Sequence, residues 1–242
     1  MKKFLCIIPF YNEEIRFYQL PYEDLFSKYP EIDFLLIDDG SSDNTLNILK
    51  NLRDKNHNVK LILIKKNLGK AEAIRTGVLN DISIDYEYVG YLDADLATPM
   101  IEMKRLFTFI SNRESIVMVM GSRIKLLGNG VDRSYLRHYL GRIFATIISG
   151  FILKVPVYDT QCGAKIIRTD FARRIFKEPF LTKWIFDVEL LLRFRGNGMI
   201  IQDCVVEIPL EQWKERGNSK IKLKEFVLFP FQILKIHFYY AK

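Results

Sequence analysis

Residues 34–45 read FLLIDDGSSDNT. Four apolar residues run into two aspartates, a Gly-Ser-Ser turn follows, and a helical pattern begins at Thr45. A short apolar run bounded by turn residues reads as a buried strand, and the periodic segment after it as a helix. The same unit recurs on both sides. Residues 4–8, 59–64, 88–92 and 116–120 are further strand-like runs, and 45–53 and 71–79 carry helical spacing. Near-continuous apolar strands alternating with helices predict an α/β fold whose mostly parallel sheet is covered on both faces. Ligands of such sheets bind beyond the carboxyl ends of the strands. The polar residues expected there are Tyr11-Asn12-Glu13, Asp38 to Ser42, Asn67 to Lys70, and Asp93-Ala94-Asp95. They fall where a nucleotide site would be built.

The last of these ends belongs to YLDADLATP, residues 91–99. In an extended chain, residues i and i+2 point the same way with Cα atoms roughly 6.5 Å apart. Asp93 and Asp95 therefore face one direction and repel unless a cation or water intervenes. A hard divalent ion, Mg²⁺ or Mn²⁺, suits such oxygens and bridges them to substrate phosphates; the alternative is a pair of solvated acids in a turn. Asp39 is open to two readings as well. It can accept hydrogen bonds from a base or ribose, or belong to an Asx-turn with Asp43 or Ser42 capping the next helix. Two acidic strand ends in one sheet favour the ligand reading of both.

Length and composition set bounds. At 242 residues with 49% hydrophobic content, one α/β domain is expected over 1–242. It divides into a first half, 1–122, with regular strand–helix alternation, and a smaller mixed half, 123–242, with 121–131 the only soft boundary. The net charge of +7 calls for an anionic partner. No compact basic helix or aromatic-basic motif supports nucleic acid as that partner. Cys6, Cys162 and Cys204 are odd in number and set among apolar residues, which predicts reduced, buried thiols and a cytoplasmic setting. His57, His138 and His237 have no metal-ligand spacing.

In the second half, a basic segment, 123–142, leads into an apolar helix ending near Leu153. Thr169 is the expected cap of a helix over 170–176. A further helix is expected over 184–195 and a strand over 200–208. Residues 220–242 carry helical spacing with lysines at most charged positions, an amphipathic segment suited to a lipid interface or to core or dimer packing. No run approaches the roughly 18 apolar residues of a spanning helix. Pro9 marks the N-terminal run as a first strand, not a leader.

The motifs IIPFYNEE (7–14), LIDDGSSDNT (36–45), NLGKAEAIRTG (67–77) and YLDADLATP resemble, in this order, the donor half of inverting family 2 glycosyltransferases with the GT-A fold. RSYLRHYLGRIFATIISG (133–150), VYDTQCGAKIIRTDFARRIF (157–176), KWIFDVELLLR (183–193) and WKERGNSKI (213–221) are similar to dolichyl-phosphate β-glucosyltransferases and their polyprenyl-phosphate relatives.

The resemblance implies that Pro9, Tyr11 and Glu13 border a nucleoside, that Asp39 contacts the base, and that Gly69, Lys70 and Arg75 lie near the donor. Asp93 would face ribose or sugar, Asp95 would hold the metal on the diphosphate, and Arg123 would face phosphate. Mannosyltransferase-like members often carry a metal-assisting Gln where this chain has Ala97. Relatives also carry N-terminal anchors or C-terminal spanning helices, and neither is read here.

The implied reaction is transfer of a hexose, with UDP-glucose favoured over a GDP-linked donor, to a polyprenyl phosphate. Arg133 and Arg137, four apart on a helical face, and Lys220 are candidates for the acceptor phosphate; a solvated basic face is the other reading of the arginines. Asp187 and Glu189 stand where family 2 enzymes put a catalytic acid pair. A sugar-hydroxyl acceptor, the alternative, would need one of them as general base. With a phosphate acceptor they would organise the acceptor side or pair with arginines. Asp159 to Lys165 would wall the sugar pocket, with Cys162 as packing. A peripheral contact with the cytoplasmic face of a membrane is expected, and a homo-oligomer is left open.

Overall fold

The computed structural model describes residues 3–18, 20, 22–132, 135–216 and 223–240. The first half runs β1 (Phe4–Phe10), α1 (Glu14–Phe17), α2 (Tyr22–Lys28), β2 (Asp33–Asp39), α3 (Thr45–Lys55), β3 (Val59–Ile64), α4 (Lys70–Leu79), β4 (Tyr88–Tyr91), α5 (Met100–Ser111) and β5 (Met118–Ser122). The second continues with β6 (Gly130–Asp132), α6 (Tyr135–Ile147), a π-helical turn (Ile148–Leu153), β7 (Lys165–Arg168), α7 (Thr169–Ile175), α8 (Phe186–Gly196), α9 (Ile201–Cys204), β8 (Val205–Pro209), β9 (Gln212–Lys214) and α10 (Leu223–Tyr240).

Seven strands form the central sheet in the order β3-β2-β1-β4-β7-β5-β8. All neighbours are parallel except β7, which runs antiparallel to both β4 and β5. Successive residues of β1 serve opposite faces. Leu5 and Ile7 join the core beneath α4, α7 and α8, while Phe4, Cys6 and Ile8 join the core beneath α2 and α5. Helices on both faces are why these strands are apolar throughout and do not alternate.

Because β1, β2, β4 and β5 are parallel and β7 is reversed, one edge of the sheet gathers Tyr11, Asp39, Asp93 and Arg123, which follow or end their strands, together with Lys165, which begins its own. The β6–β9 ribbon pairs Val131 with Trp213. No described helix is long and apolar enough to cross a membrane.

Two expectations need correction. The strand expected over 200–208 is a one-turn helix, α9, followed by β8: after Gly196 and Gly198 the chain needs a turn to reach the edge beside β5. Thr169 does not cap its helix; it is the first helical residue, and its N–H donates to the Glu87 carbonyl at 2.9 Å because β7 runs straight into α7. From the second half of the chain, β7 and β8 complete the central sheet.

Candidate active site

The turn after β4 carries the two acids. Leu96 within it adopts a left-handed φ of 47°, a conformation costly for a β-turn residue with a side chain. The loop is held closed by Leu96 N–H on the Asp93 carbonyl at 3.1 Å and by Ala97 N–H on Asp95 Oδ1 at 3.0 Å. Tyr22 donates its hydroxyl to the Ala94 carbonyl between them.

Asp93 meets Lys70, the first residue of α4, with Nζ to Oδ1 2.5 Å. Burial opposes ionisation of Asp93, but the charges of Lys70, Arg123 and Lys165 outweigh it and hold the carboxyl below its ordinary range. On the other side the carboxylate lies against backbone: a Cβ on Gly163 would fall 2.0 Å from Asp93 Oδ2. Only glycine lets the 160–163 loop approach so closely.

Asp95 differs from its neighbour. Burial, and then the charge of Asp93, push its carboxyl above the ordinary range. Among the described residues the Ala97 N–H is its hydrogen-bond partner and no cation pairs with it. One under-neutralised carboxylate beside a neutralised one fits an ion held by one or two acids plus a diphosphate, not a closed protein cage. No group of three or more His, Cys, Asp or Glu side chains able to hold a metal occurs among the described residues.

Asp39 ends β2 and is 2% exposed. Its two oxygens accept the N–H groups of Leu68 and Gly69, each at 2.8 Å. Burial pushes its carboxyl up, and those two donors pull against the rise. Asp39 therefore shapes the 67–69 loop. Of the two alternatives weighed for its neighbourhood, the turn reading is present in part: Asp38 accepts from Ser41 N–H at 3.3 Å, and Asp43 Oδ1 accepts from Thr45 N–H at 3.0 Å.

Glu13 is buried, paired with Arg16 at 3.1 Å, and its N–H donates to Thr45 Oγ1 at 2.8 Å. Tyr11 is exposed and Pro9 lies in β1 opposite Ile37. Arg75 turns to Glu72 at 2.5 Å and to the Lys177 carbonyl at 2.9 Å, on the flank of α4.

Arg123 is gripped by Asp159 through Nε to Oδ2 at 2.6 Å and Nη2 to Oδ1 at 2.8 Å. Asp159 in turn is fixed by its own N–H on Glu207 Oε1 at 2.6 Å, and Trp213 lies 5.6 Å from the guanidinium. A planar guanidinium so held presents a fixed charge toward Asp93.

The α8 acids have separate fates. Asp187 Oδ1 accepts both the Tyr91 hydroxyl and the Lys165 ammonium at 2.6 Å, and Lys165 also donates to the carbonyls of Thr160 and Cys162 at 2.9 and 2.5 Å. Glu189, fully buried, accepts from Arg193 at 2.7 Å, Tyr240 at 3.0 Å and Leu181 N–H at 2.8 Å. It thus belongs to the packing of α8 against α10, away from the Asp93–Lys70 pair. Arg133 and Lys220 lie outside the described residues, as does the 217–220 part of the loop read as a flap; Trp213 itself is buried in β9. Arg137 lies on α6.

Sequence reasoning missed Lys165 and Asp159 as charge partners, although both stood in the quoted DTQCGAK stretch. All three cysteines are free and buried, and burial pushes the Cys162 thiol up to about 11, as expected of packing. A cavity of about 950 Å³ lies at the opposite end of β4, lined by Tyr86, Tyr88, Glu114 and Arg173, so volume alone does not mark the site.

A sheet with acids and cations converging at the carboxyl ends of its parallel strands places charge where α/β folds bind their ligands. Residues 5–176 match the family pattern described as "Glycosyl transferase family 2", and the chain belongs to that family of glycosyltransferases. It is 32% identical over 249 residues to the dolichyl-phosphate beta-glucosyltransferase ALG5C of Trichomonas vaginalis, covering 97% of this chain and 70% of the relative. The corresponding figures for the dolichyl-phosphate beta-glucosyltransferase of Saccharomyces cerevisiae are 31% over 238 residues, 90% and 68%. Among solved structures, glucosyl-3-phosphoglycerate synthase from Mycobacterium tuberculosis in complex with UDP superposes with a TM-score of 0.68 at 16% identity, covering 99% of this chain and 80% of that one. A complex of the same enzyme with Mn²⁺, UDP-glucose and phosphoglyceric acid gives 0.69. The fold is GT-A.

Proposed function

We propose that this glycosyltransferase moves glucose from UDP-glucose, with inversion, to a polyprenyl phosphate of the dolichyl type. The observation that carries the reading is the engagement of both α8 acids. A sugar hydroxyl must lose its proton as it attacks, and needs a base within hydrogen-bond reach. Asp187 is tied to Lys165 and Tyr91, and Glu189 to Arg193, Tyr240 and Leu181. A phosphate acceptor needs no such base, since its second pKa is about 6 and it is largely ionised near neutrality. The names of the relatives support the same acceptor and sugar.

In this reading an acceptor phosphate oxygen forms a bond to the anomeric carbon while the bond to the nucleoside diphosphate breaks and its electron pair leaves with UDP. In-line attack turns an α-linked donor into a β-linked product. Asp95, with help from Asp93, would hold Mg²⁺ or Mn²⁺, which when bound supplies charge stabilisation to the departing diphosphate. Lys70 and Arg123 keep Asp93 ionised and oriented, and Asp39 presents its carboxylate to the nucleoside. The Lys165–Asp187 pair holds the 160–163 loop against Asp93, forming the wall of the sugar pocket.

A lipid acceptor also requires approach to a membrane. The helices α6 and α10 meet at Phe144 and Phe229, yet Ile143, Ile147 and Phe151 on one side and Phe231, Leu234 and Phe238 on the other remain exposed. Their three- and four-residue spacing gives apolar stripes suited to peripheral contact, on the cytoplasmic side where free thiols persist.

The test is direct. Purified protein with UDP-glucose, Mn²⁺ and a short polyprenyl phosphate should release UDP and form a β-linked lipid phosphosugar, identified by NMR. Turnover with a sugar-hydroxyl acceptor and none with lipid phosphate would overturn the reading.

A further inference from the structure

Lys183 stands just before α8, in the second half of the chain, yet it covers the donor-side loop. Its Cδ, Cγ and Cβ lie 3.5, 3.8 and 3.9 Å from where a side chain on Gly69 would begin. Gly69 has a φ of +96°, a conformation other residues rarely adopt, and the lysine stem lies over it at ordinary van der Waals contact distance from that position. The same glycine donates its N–H to Asp39 Oδ2 at 2.8 Å. Asp39 and Lys183 therefore converge on one residue from two halves of the molecule. Lys183 is exposed, and among the described residues no hydrogen bond or ion pair engages its ammonium. Its charge is felt at Asp39, where it draws the carboxyl down.

We propose that Lys183 and Asp39 together read the nucleobase of the donor, which makes Lys183, the first residue of the KWIFDVELLLR stretch, a specificity-determining residue. The inference rests on the nucleotide-sugar reading above. An ammonium only donates, and an ionised carboxylate only accepts. Side by side they match a base edge that offers an N–H next to a carbonyl, as uracil and guanine do. Cytosine and adenine offer the reverse, a ring-nitrogen acceptor beside an amino donor. A mismatched base leaves polar groups of the site unpaired, and that discriminates more strongly than lost contact area.

The test is titration of the full chain with UDP, CDP, GDP and ADP in the presence of Mn²⁺, comparing wild type with Lys183→Met and Lys183→Arg. The wild type should bind UDP well above CDP. Lys183→Met should weaken UDP roughly tenfold or more, the range for a hydrogen bond to a charged group, and leave CDP nearly unchanged. GDP, if bound, should follow UDP, and ADP should follow CDP; Lys183→Arg should restore UDP binding. Equal losses on UDP and CDP would assign the ammonium to phosphate and overturn base reading, as would undiminished UDP binding in Lys183→Met. Ligand-free melting curves separate lost binding from lost fold. A wild type that binds none of the four nucleotides would remove the donor reading itself.

Discussion

Lys165 Nζ lies 2.6 Å from Asp187 Oδ1, with the two side chains 0% and 5% exposed. A buried pair of this kind is costly to break from one side, because the remaining charge is left without a partner. Lys165→Met should therefore lose about 3–5 kcal/mol of stability. The double variant Lys165→Met with Asp187→Leu should recover a good part of the loss in urea denaturation. Equal losses in the single and double variants would mean the two charges are not coupled.

Asp95 should behave in the opposite way. Its carboxyl is pushed up by burial and by Asp93, so Asp95→Asn should cost little stability. It should remove the extra thermal stabilisation that Mn²⁺ adds to UDP, an effect worth about 2.7 kcal/mol at a hundredfold excess over Kd in the wild type. A variant whose melting temperature still rises with Mn²⁺ and UDP together would take the ion away from this residue.

Gly163→Ala tests the wall of the pocket. The added methyl would sit 2.0 Å from Asp93 Oδ2, so the carboxylate or the 160–163 loop must shift. Turnover should fall by about a hundredfold, the scale expected when a reacting group is displaced by about 1 Å. Circular dichroism should show the fold retained. Normal kcat in this variant would detach Asp93 from the reaction.

Acid pH should weaken the fold through Asp93. Its carboxyl is held below the ordinary value of 3.8 because the Lys70, Arg123 and Lys165 charges outweigh burial. A depressed carboxyl contributes stability above that ordinary value and loses it as pH falls through its folded-state value. The melting temperature of the wild type should therefore drop toward that of Asp93→Asn below about pH 4. A gap between the two that is constant from pH 6 to pH 3 would contradict the assignment.

The exposed stripes make a prediction about surfaces. Replacing Phe151 and Phe238 with Ser should leave the unfolding free energy within about 0.5 kcal/mol of the wild type, since both are exposed. Co-sedimentation with vesicles of phosphatidylcholine and phosphatidylserine should fall several-fold. Unchanged sedimentation would remove α6 and α10 from any lipid contact.

Much of this arrangement can be read before folding, and the reasons are physical. The strands β1 to β5 announce themselves because both sheet faces are covered, so hydropathy alone outlines them. Asp39, Asp93 and Asp95 stand out because charge at the end of an apolar run is rare. By contrast, β7 begins with a lysine, and nothing local says that Lys165 will be buried. Its counter-ion lies 22 residues further on, and its burial depends on α8 packing above it. Glu189 looked equivalent to Asp187 because both lie in FDVEL, yet two residues along a helix turn them about 200° apart and into different neighbourhoods. The start of β8 is not legible because Ile201 and Cys204, three apart around the polar Gln202 and Asp203, suit a half-buried helical turn as well as a strand.

The reversed strand has a consequence for biosynthesis. With β7 wedged between β4 and β5, residues leaving the ribosome up to 122 carry a sheet with an open slot, and both lips of that slot are unpaired edges. The slot closes only when residues 165–168 arrive, so the nascent chain must carry exposed strand edges while more than forty further residues are made. An expression product cut near residue 122 should accordingly be captured by chaperones or aggregate, and nucleotide binding should emerge only with the reversed strand in place.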